Sequence, residues 1–157
     1  MIVVVMGVSG SGKTTIGKLL AQRLVCEFFD GDDYHPPRSV AKMRAGEPLT
    51  DDDRWPWLEG LNEKLKGKEN AVLACSALKQ SYREVLARDL SRCTFVFLNG
   101  SLELIQSRLE KRRHRYMPAS LLASQFATLE PPRHAIDVDI GASVPECVAA
   151  IEARLAP

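Results

Sequence analysis

The residues best suited to chemistry form one continuous run near the N-terminus, Gly7-Val8-Ser9-Gly10-Ser11-Gly12-Lys13-Thr14. This run matches G-x-x-x-x-G-K-[ST] in full, which is the pattern of a backbone loop that cradles phosphate groups. Glycines let the chain approach an anion closely, and successive amides at a helix N-terminus attract negative charge. Lys13 would reach the β- and γ-phosphates of a nucleotide, and the Thr14 hydroxyl would ligate Mg²⁺. We assign this run and the adjacent Thr15 to nucleotide binding, and Lys13 also to catalysis.

A second set of reactive side chains follows the apolar pair Phe28-Phe29, at Asp30, Asp32 and Asp33. In a parallel sheet, the carboxyl ends of the strands face the ligand crevice. On position alone, Asp30 is the candidate to support Mg²⁺ together with Thr14, by way of water. Asp32 is the candidate base that accepts a proton from an attacking hydroxyl group. A solvated, aspartate-rich turn is the alternative interpretation.

Two further charged segments could face the same crevice. The run Asp51-Asp52-Asp53 precedes Arg54, and helix capping with dipole complementarity is the simpler interpretation of at least one of these carboxylates. Lys79 and Arg83 follow the third apolar run, and such cations pair well with a carboxylate substrate. A solvated helix face is the alternative interpretation of that pair.

A basic run occupies residues 111–115, as Lys111-Arg112-Arg113-His114-Arg115. It would complement the C-terminal dipole of a helix, or form the hinge of a lid that places an arginine on the transferring phosphoryl group. A small nucleic-acid patch is a third interpretation. Among the nearby arginines, we assign Arg113 to catalysis and Arg108 to the nucleotide.

The elements that must position these residues follow from alternating apolar runs and helical periodicities. Strands are predicted at Ile2–Met6, Phe28–Phe29, Ala71–Cys75, Thr94–Leu98 and Ile136–Ile140. Helices are predicted from Thr14 to about Val25, around Val40–Arg44, from an N-cap at Asp53 with Pro56 in the first turn, after each later strand, and from Pro118. This alternation favours an α/β fold with a parallel sheet and helices on both faces.

Composition limits the class of protein. The chain has 157 residues and a net charge of +1, which predicts one domain and excludes a strongly basic nucleic-acid binder. Its four cysteines lie far apart, as in a protein with reduced thiols rather than a zinc site or a disulfide framework. The apolar opening is too short for a signal peptide or a membrane span, so we expect a cytoplasmic protein with no membrane partner.

Other sequence patterns exclude nucleotide switches and motors. Neither D-x-x-G nor [NT]-K-x-D occurs in the chain, and both motifs are expected in a GTPase that acts as a switch. No hydrophobic strand ends in the Asp-Glu pair of a typical motor ATPase. A small-molecule kinase is the class that remains.

Several segments, in order and at compatible spacing from about residue 2 to residue 131, resemble the gluconokinase family. Beyond the phosphate loop they are Asp30-Gly31-Asp32 with His35-Pro36, Lys42-Met43, Gly46-Glu47-Pro48-Leu49, Asp51 to Arg54 with Pro56-Trp57-Leu58, Cys75-Ser76-Ala77-Leu78-Lys79, Tyr82-Arg83, Ser124-Gln125-Phe126 and Thr128-Leu129-Glu130-Pro131. The chain departs from the family at His114-Arg115-Tyr116-Met117, where Gly-His-Phe-Met is usual, and at Thr50, where Asn is commoner.

The resemblance implies a three-layer P-loop kinase fold similar to shikimate kinase, with a five-stranded parallel sheet and a small lid. Within a single domain over 1–157, it places a substrate-binding insertion at about 31–68 and the lid at about 111–130. It also implies ATP- and Mg²⁺-dependent phosphorylation of D-gluconate to 6-phospho-D-gluconate by a homodimer. The candidate substrate-binding residues are Asp32, His35, Lys42, Arg54, Lys79 and Arg83.

Two other functions are compatible with the motifs. One is a kinase for another small hydroxy acid such as shikimate, although that family uses a glycine-rich turn where this chain has Cys75-Ser76-Ala77. The other is a non-catalytic module that senses ATP and binds a partner protein.

Overall fold

A five-stranded sheet, parallel at every pairing, organises the protein in a computed structural model that describes residues 1–111 and 119–156. The strands are β1 (Ile2–Met6), β2 (Glu27–Asp30), β3 (Ala71–Ala74), β4 (Cys93–Asn99) and β5 (Ile136–Asp139). Their order across the sheet is β2-β3-β1-β4-β5. The predicted α/β class with a five-stranded parallel sheet is therefore confirmed.

Seven helices are described, together with one short 3₁₀ turn at Gly31–Tyr34. They are α1 (Lys13–Leu24), α2 (Pro37–Arg44), α3 (Asp51–Lys66), α4 (Gln80–Ala87), α5 (Leu102–Lys111), α6 (Ala119–Thr128) and α7 (Val144–Leu155). Helix α1 packs against α7, α3 against α4, and α5 against α6. Right-handed crossovers place α1 on one face of the sheet and the helices that lead to β3, β4 and β5 on the opposite face. Helix α7 packs on α1 and so shares its face. Over the described part of the chain, no helix is both long and apolar enough to cross a membrane.

The hydrophobic core lies on both sides of β1 and β3, two of the three inner strands of the sheet. Every residue of Ile2–Met6 and of Ala71–Ala74 is buried, which is why these strands are unbroken apolar runs without alternation. The connection after β1 leads towards β2, whereas the connection after β3 leads in the opposite direction to β4. Neighbouring strands whose connections diverge open a crevice at their carboxyl ends, and the phosphate loop lies at its rim.

The start of α3 differs from the sequence prediction. Thr50, rather than Asp53, is the N-cap, and its hydroxyl accepts a 3.2 Å hydrogen bond from the Asp53 amide. The Asp53 carboxylate accepts a 2.9 Å bond from the Thr50 amide in return. This capping box satisfies two donors at once, so the helix begins earlier and Pro56 lies inside it rather than in its first turn.

Other predicted boundaries are wrong by a few residues. Helix α2 begins at Pro37 instead of Val40, because proline suits the first turn of a helix. Strand β3 ends at Ala74 rather than Cys75, and β5 ends at Asp139 rather than Ile140. The predicted helix start at Pro118 and the arginines of the basic run lie outside the described residues.

Candidate active site

The phosphate loop connects β1 to α1 and depends on glycine at two places. Gly10 and Gly12 have φ angles of 83° and 99°, in the left-handed region that favours glycine. A Cβ on Gly10 would also lie 2.8 Å from the Leu109 side chain of α5. Gly12 is the N-cap of α1, and it provides no side chain to cap the helix. The positive end of the helix is thus presented to a ligand, as an anion site requires.

The side chains of Lys13 and Thr14, at the end of the phosphate loop, each form a hydrogen bond. The Lys13 ammonium group donates a 3.0 Å hydrogen bond to the carbonyl of Val8, so it folds back over the loop. The Thr14 hydroxyl donates a 2.8 Å bond to Oδ2 of Asp30 at the end of β2. Thr14 and Asp30, the two residues predicted to support Mg²⁺, are therefore neighbours in the structure.

The oxygen atoms of Thr14 and Asp30 fit a hard cation such as Mg²⁺. Within residues 1–111 and 119–156, no group of three or more histidine, cysteine or carboxylate side chains is placed to hold a metal ion. A magnesium ion bound here would therefore take much of its coordination from nucleotide phosphates and water, which is its usual manner in kinases.

The candidate base Asp32 lies in the 3₁₀ turn after β2. Its carboxylate is 68% exposed, while the side chain of His35 is 4% exposed and its Nε2 lies 3.5 Å from Asp32 Oδ1. The His35 ring stacks on Trp57 of α3 at 3.9 Å between centroids. Trp57 Nε1 in turn donates a 2.8 Å bond to the carbonyl of Gly31. The His35–Trp57 stacking and the Trp57–Gly31 hydrogen bond thus hold the turn against α3, and the Asp32 carboxylate is exposed to solvent.

Side chains at the start of α3 and around the start of α4 form a charged cluster. Lys79 Nζ lies 3.0 and 3.1 Å from the two oxygens of Asp51. The Tyr82 hydroxyl donates to Asp51 and accepts a 3.3 Å bond from Arg54. Hydrogen bonds from Tyr82 and then Lys79 hold the pKa of Asp51 below its usual value, and the bond to Asp51 raises the pKa of Lys79. Two predicted substrate cations are therefore brought together.

A second ion pair ties α2 to α3. Lys42 Nζ lies 2.8 Å from Oδ2 of Asp53, whose side chain is 10% exposed. The Lys42 bond, with further bonds from Thr50, holds the pKa of Asp53 well below its usual range. Lys42 thus stabilises the start of α3, beside the cluster of Asp51 and Lys79.

Comparison with known proteins places this site in a family. Residues 9–127 match the family described as shikimate kinase. A gluconokinase of Gluconobacter oxydans is 53% identical, over 82% of this chain and 75% of that protein. A solved gluconokinase from Sinorhizobium meliloti 1021 superposes with a TM-score of 0.91 at 45% identity, over 98% of this chain and 92% of that one. The chain belongs to the gluconokinase family.

Membership in the gluconokinase family confirms the resemblance drawn from the motifs and the P-loop kinase fold. The chain is a kinase, and its family implies ATP as the phosphoryl donor and a small molecule as the acceptor. A shikimate kinase from Aquifex aeolicus has a TM-score of 0.66 at 21% identity. That likeness shows the fold alone.

Arg83 is placed differently from the other predicted substrate cations of this gluconokinase-family chain. Its side chain is buried at 4% exposure. Its guanidinium donates a 2.7 Å bond to the carbonyl of Ala77 and a 2.8 Å bond to that of Glu130. Burial lowers its pKa from the usual value. A substrate contact by Arg83 stays a prediction, since these bonds show a structural role.

Of the two arginines assigned to the nucleotide and to catalysis, Arg108 lies in the described part of the chain and Arg113 does not. The Arg108 guanidinium donates to the carbonyl of Ile140, in the loop after β5. Its role toward the nucleotide stays a prediction. Arg113 lies outside the described residues, and its catalytic role also stays a prediction.

Sequence reasoning did not identify Gln125 as part of the site. It lies on α6, and its side chain forms two hydrogen bonds with Ser9 of the phosphate loop. In the sequence, the segment Ser124-Gln125-Phe126 stands out only through its resemblance to the gluconokinase family. A contact across 116 positions of the chain leaves no periodic signal in a single sequence.

Proposed function

We propose that this protein transfers the γ-phosphoryl group of ATP to the terminal hydroxyl of D-gluconate and so forms 6-phospho-D-gluconate. The observation that carries the proposal is the juxtaposition of the phosphate loop with the carboxylates that follow β2. The Thr14–Asp30 hydrogen bond joins the two segments. The identity of the acceptor is supported by the gluconokinase of Gluconobacter oxydans, which is 53% identical to this chain.

On the nucleotide side, the loop amides and Lys13 would neutralise the phosphates of ATP, and Thr15 would continue the site into α1. Thr14 and Asp30 would hold Mg²⁺, which supplies charge neutralisation of the transferring phosphoryl group when it is bound. Their oxygens are already 2.8 Å apart. Arg108 would contact the nucleotide, and Arg113 would stabilise the transition state.

On the acceptor side, Asp32 would take the proton from the attacking hydroxyl group. Its exposed carboxylate can be reached by a substrate, and the stacked, buried His35 holds the turn that carries it. A positioned base of this kind contributes about 10²- to 10⁴-fold to a rate.

The carboxylate of the sugar acid would bind beside the cations that surround the start of α3. Lys79 and Arg54 share the Asp51–Tyr82 hydrogen-bond network, which keeps the two cations close to each other. Our candidates for the acceptor site are Asp32, His35, Lys42, Arg54, Lys79 and Arg83. They belong to the proposed insertion at 31–68 and to the start of α4.

We further propose that residues 111–130 act as the lid of this single domain and that the protein works as a cytoplasmic homodimer without nucleic-acid or membrane partners. The free thiols support a reducing compartment. Burial raises the pKa of Cys75 to about 12 and that of Cys93 to about 11, so both are unreactive at neutral pH.

One assay tests the proposed reaction. Purified protein is given MgATP with gluconate, other sugar acids, shikimate or AMP, and the release of ADP is measured. We expect turnover that depends on gluconate. Turnover on shikimate alone, or tight ATP binding with no turnover on any acceptor, would contradict the proposal.

A further inference from the structure

The side chain of Gln125, on helix α6, forms two hydrogen bonds with the phosphate loop. Gln125 Oε1 accepts a 2.7 Å hydrogen bond from the Ser9 amide. Gln125 Nε2 donates a 3.1 Å bond to the Ser9 hydroxyl. Because the Gln125 carboxamide binds both the amide and the hydroxyl of Ser9, it fixes the position and the orientation of Ser9 together.

Glu130, two residues beyond the end of α6, is attached to the loop between β3 and α4 and to the first residue of α4. The Glu130 amide donates a 2.8 Å bond to the carbonyl of Leu78, and the Glu130 side chain accepts a 2.9 Å bond from the Gln80 amide. The buried guanidinium of Arg83 bridges the carbonyls of Ala77 and Glu130. The segment 125–130 therefore connects the nucleotide side of the crevice with the side that carries Lys79.

A pocket of about 180 Å³ lies at the carboxyl end of β4. Its lining includes Val8 of the phosphate loop, Phe126 of α6 and Leu129 just after that helix. The phosphate loop and the segment 126–129 therefore border the same pocket, next to the Ser9–Gln125 hydrogen bonds.

Glycine allows the backbone of the phosphate loop more conformations than other residues would, so an attachment at Ser9 restricts it. Gly10 follows Ser9 directly and has a positive φ angle. Hydrogen-bond donors that are already aligned need not reorganise when the phosphates bind. They therefore stabilise a charged ligand more strongly.

We infer that Gln125 is a positioning residue: it orders the phosphate loop through Ser9 and sets the affinity of the site for MgATP. This inference rests on the proposed function, since it concerns the ATP site of that reaction. Gln125 would act on the nucleotide through Ser9.

The test compares Gln125→Met with Gln106→Met, the same change at an exposed glutamine of α5. Binding of a non-hydrolysable ATP analogue with Mg²⁺ is measured by calorimetry, and KM is measured for MgATP and for gluconate. For Gln125→Met we expect an affinity for the analogue about tenfold lower, equivalent to about 1.4 kcal/mol, and a KM for gluconate changed by less than about twofold. The control variant should match the wild type.

A double-mutant cycle separates positioning from general stability. Ser9→Ala removes the hydroxyl partner of Gln125, and it should weaken analogue binding by itself but add nothing in the presence of Gln125→Met. Additive effects, equal increases in both KM values, or an unchanged analogue affinity with a lowered melting temperature would overturn the inference. A wild type that binds the analogue without phosphorylating gluconate would instead contradict the proposed function, and the cycle would still test Gln125.

Discussion

Thr14 and Asp30 are joined by a 2.8 Å hydrogen bond from the threonine hydroxyl to the carboxylate. Thr14 lies in the first turn of α1 and Asp30 ends β2, and β3 lies between β1 and β2 in the sheet. The second oxygen of Asp30 accepts a 3.0 Å bond from the Asp32 amide. The phosphate loop, the candidate metal ligand and the candidate base therefore form one connected unit.

Replacing Asp30 with asparagine tests the metal site. The amide oxygen of Asp30→Asn can still accept the Thr14 hydrogen bond, but the negative charge is lost. We expect the Mg²⁺ concentration for half-maximal rate to rise by about tenfold or more, because hard cations prefer charged oxygen ligands. The measurement is a titration of ADP release against Mg²⁺ at fixed ATP. The exposed neighbour Asp33→Asn is the control, and an equal shift in both variants would contradict the assignment.

Replacing Asp32 with asparagine tests the base. The side chain of Asp32 is 68% exposed, and asparagine has nearly the same size and shape, so Asp32→Asn should fold normally. We expect the turnover rate to fall by about 10²-fold or more while MgATP still binds, because the proton acceptor is lost. Turnover and nucleotide binding are measured on the same preparation. A near-normal rate would remove Asp32 from this role.

Arg83→Met distinguishes a structural role from a substrate contact. The change leaves the carbonyls of Ala77 and Glu130 without the guanidinium that now binds them. We expect the free energy of unfolding to fall by about 3 kcal/mol, since each buried group left unsatisfied costs about 1–3 kcal/mol. Urea denaturation measures this change, and the exposed Arg88→Met should alter stability by about 0.5 kcal/mol or less. Unchanged stability with a raised KM for gluconate would favour the substrate contact instead.

The Lys42–Asp53 ion pair predicts a change of stability with pH. Because the pKa of Asp53 is lowered in the folded protein, its stabilisation is present above the unfolded value of about 3.9. It is lost as the pH falls below that value towards the lower folded pKa. Asp53→Asn should therefore destabilise the protein at neutral pH, and the difference from wild type should shrink below a pH of about 4.

Urea denaturation at several pH values between neutrality and about 3 measures that difference. Asp52→Asn is the matched control, because Asp52 is exposed in the same helical turn. A difference for Asp53→Asn that stays constant across the acid range would show that the charge of Asp53 contributes nothing.

Much of the fold could be predicted because its signals are local. The buried run Ile2–Met6 and the glycine-rich loop after it are defined by neighbours in the chain, and both were predicted correctly. The start of α3 was predicted incorrectly, since Thr50 and Asp53 are both good capping residues. Only their reciprocal hydrogen bonds in the folded chain decide which of them is the N-cap.

The sequence by itself determined the family, the parallel sheet and the position of the phosphate loop, because spacing along the chain encodes each of them. The tertiary structure alone decided which charges meet. Lys79 pairs with Asp51 across 28 positions, and Gln125 binds Ser9 across 116. Arg83, a candidate for the substrate by residue type, is buried against two carbonyl groups. Such partners depend on how helices pack at the carboxyl edge of the sheet, and no local periodicity records that packing.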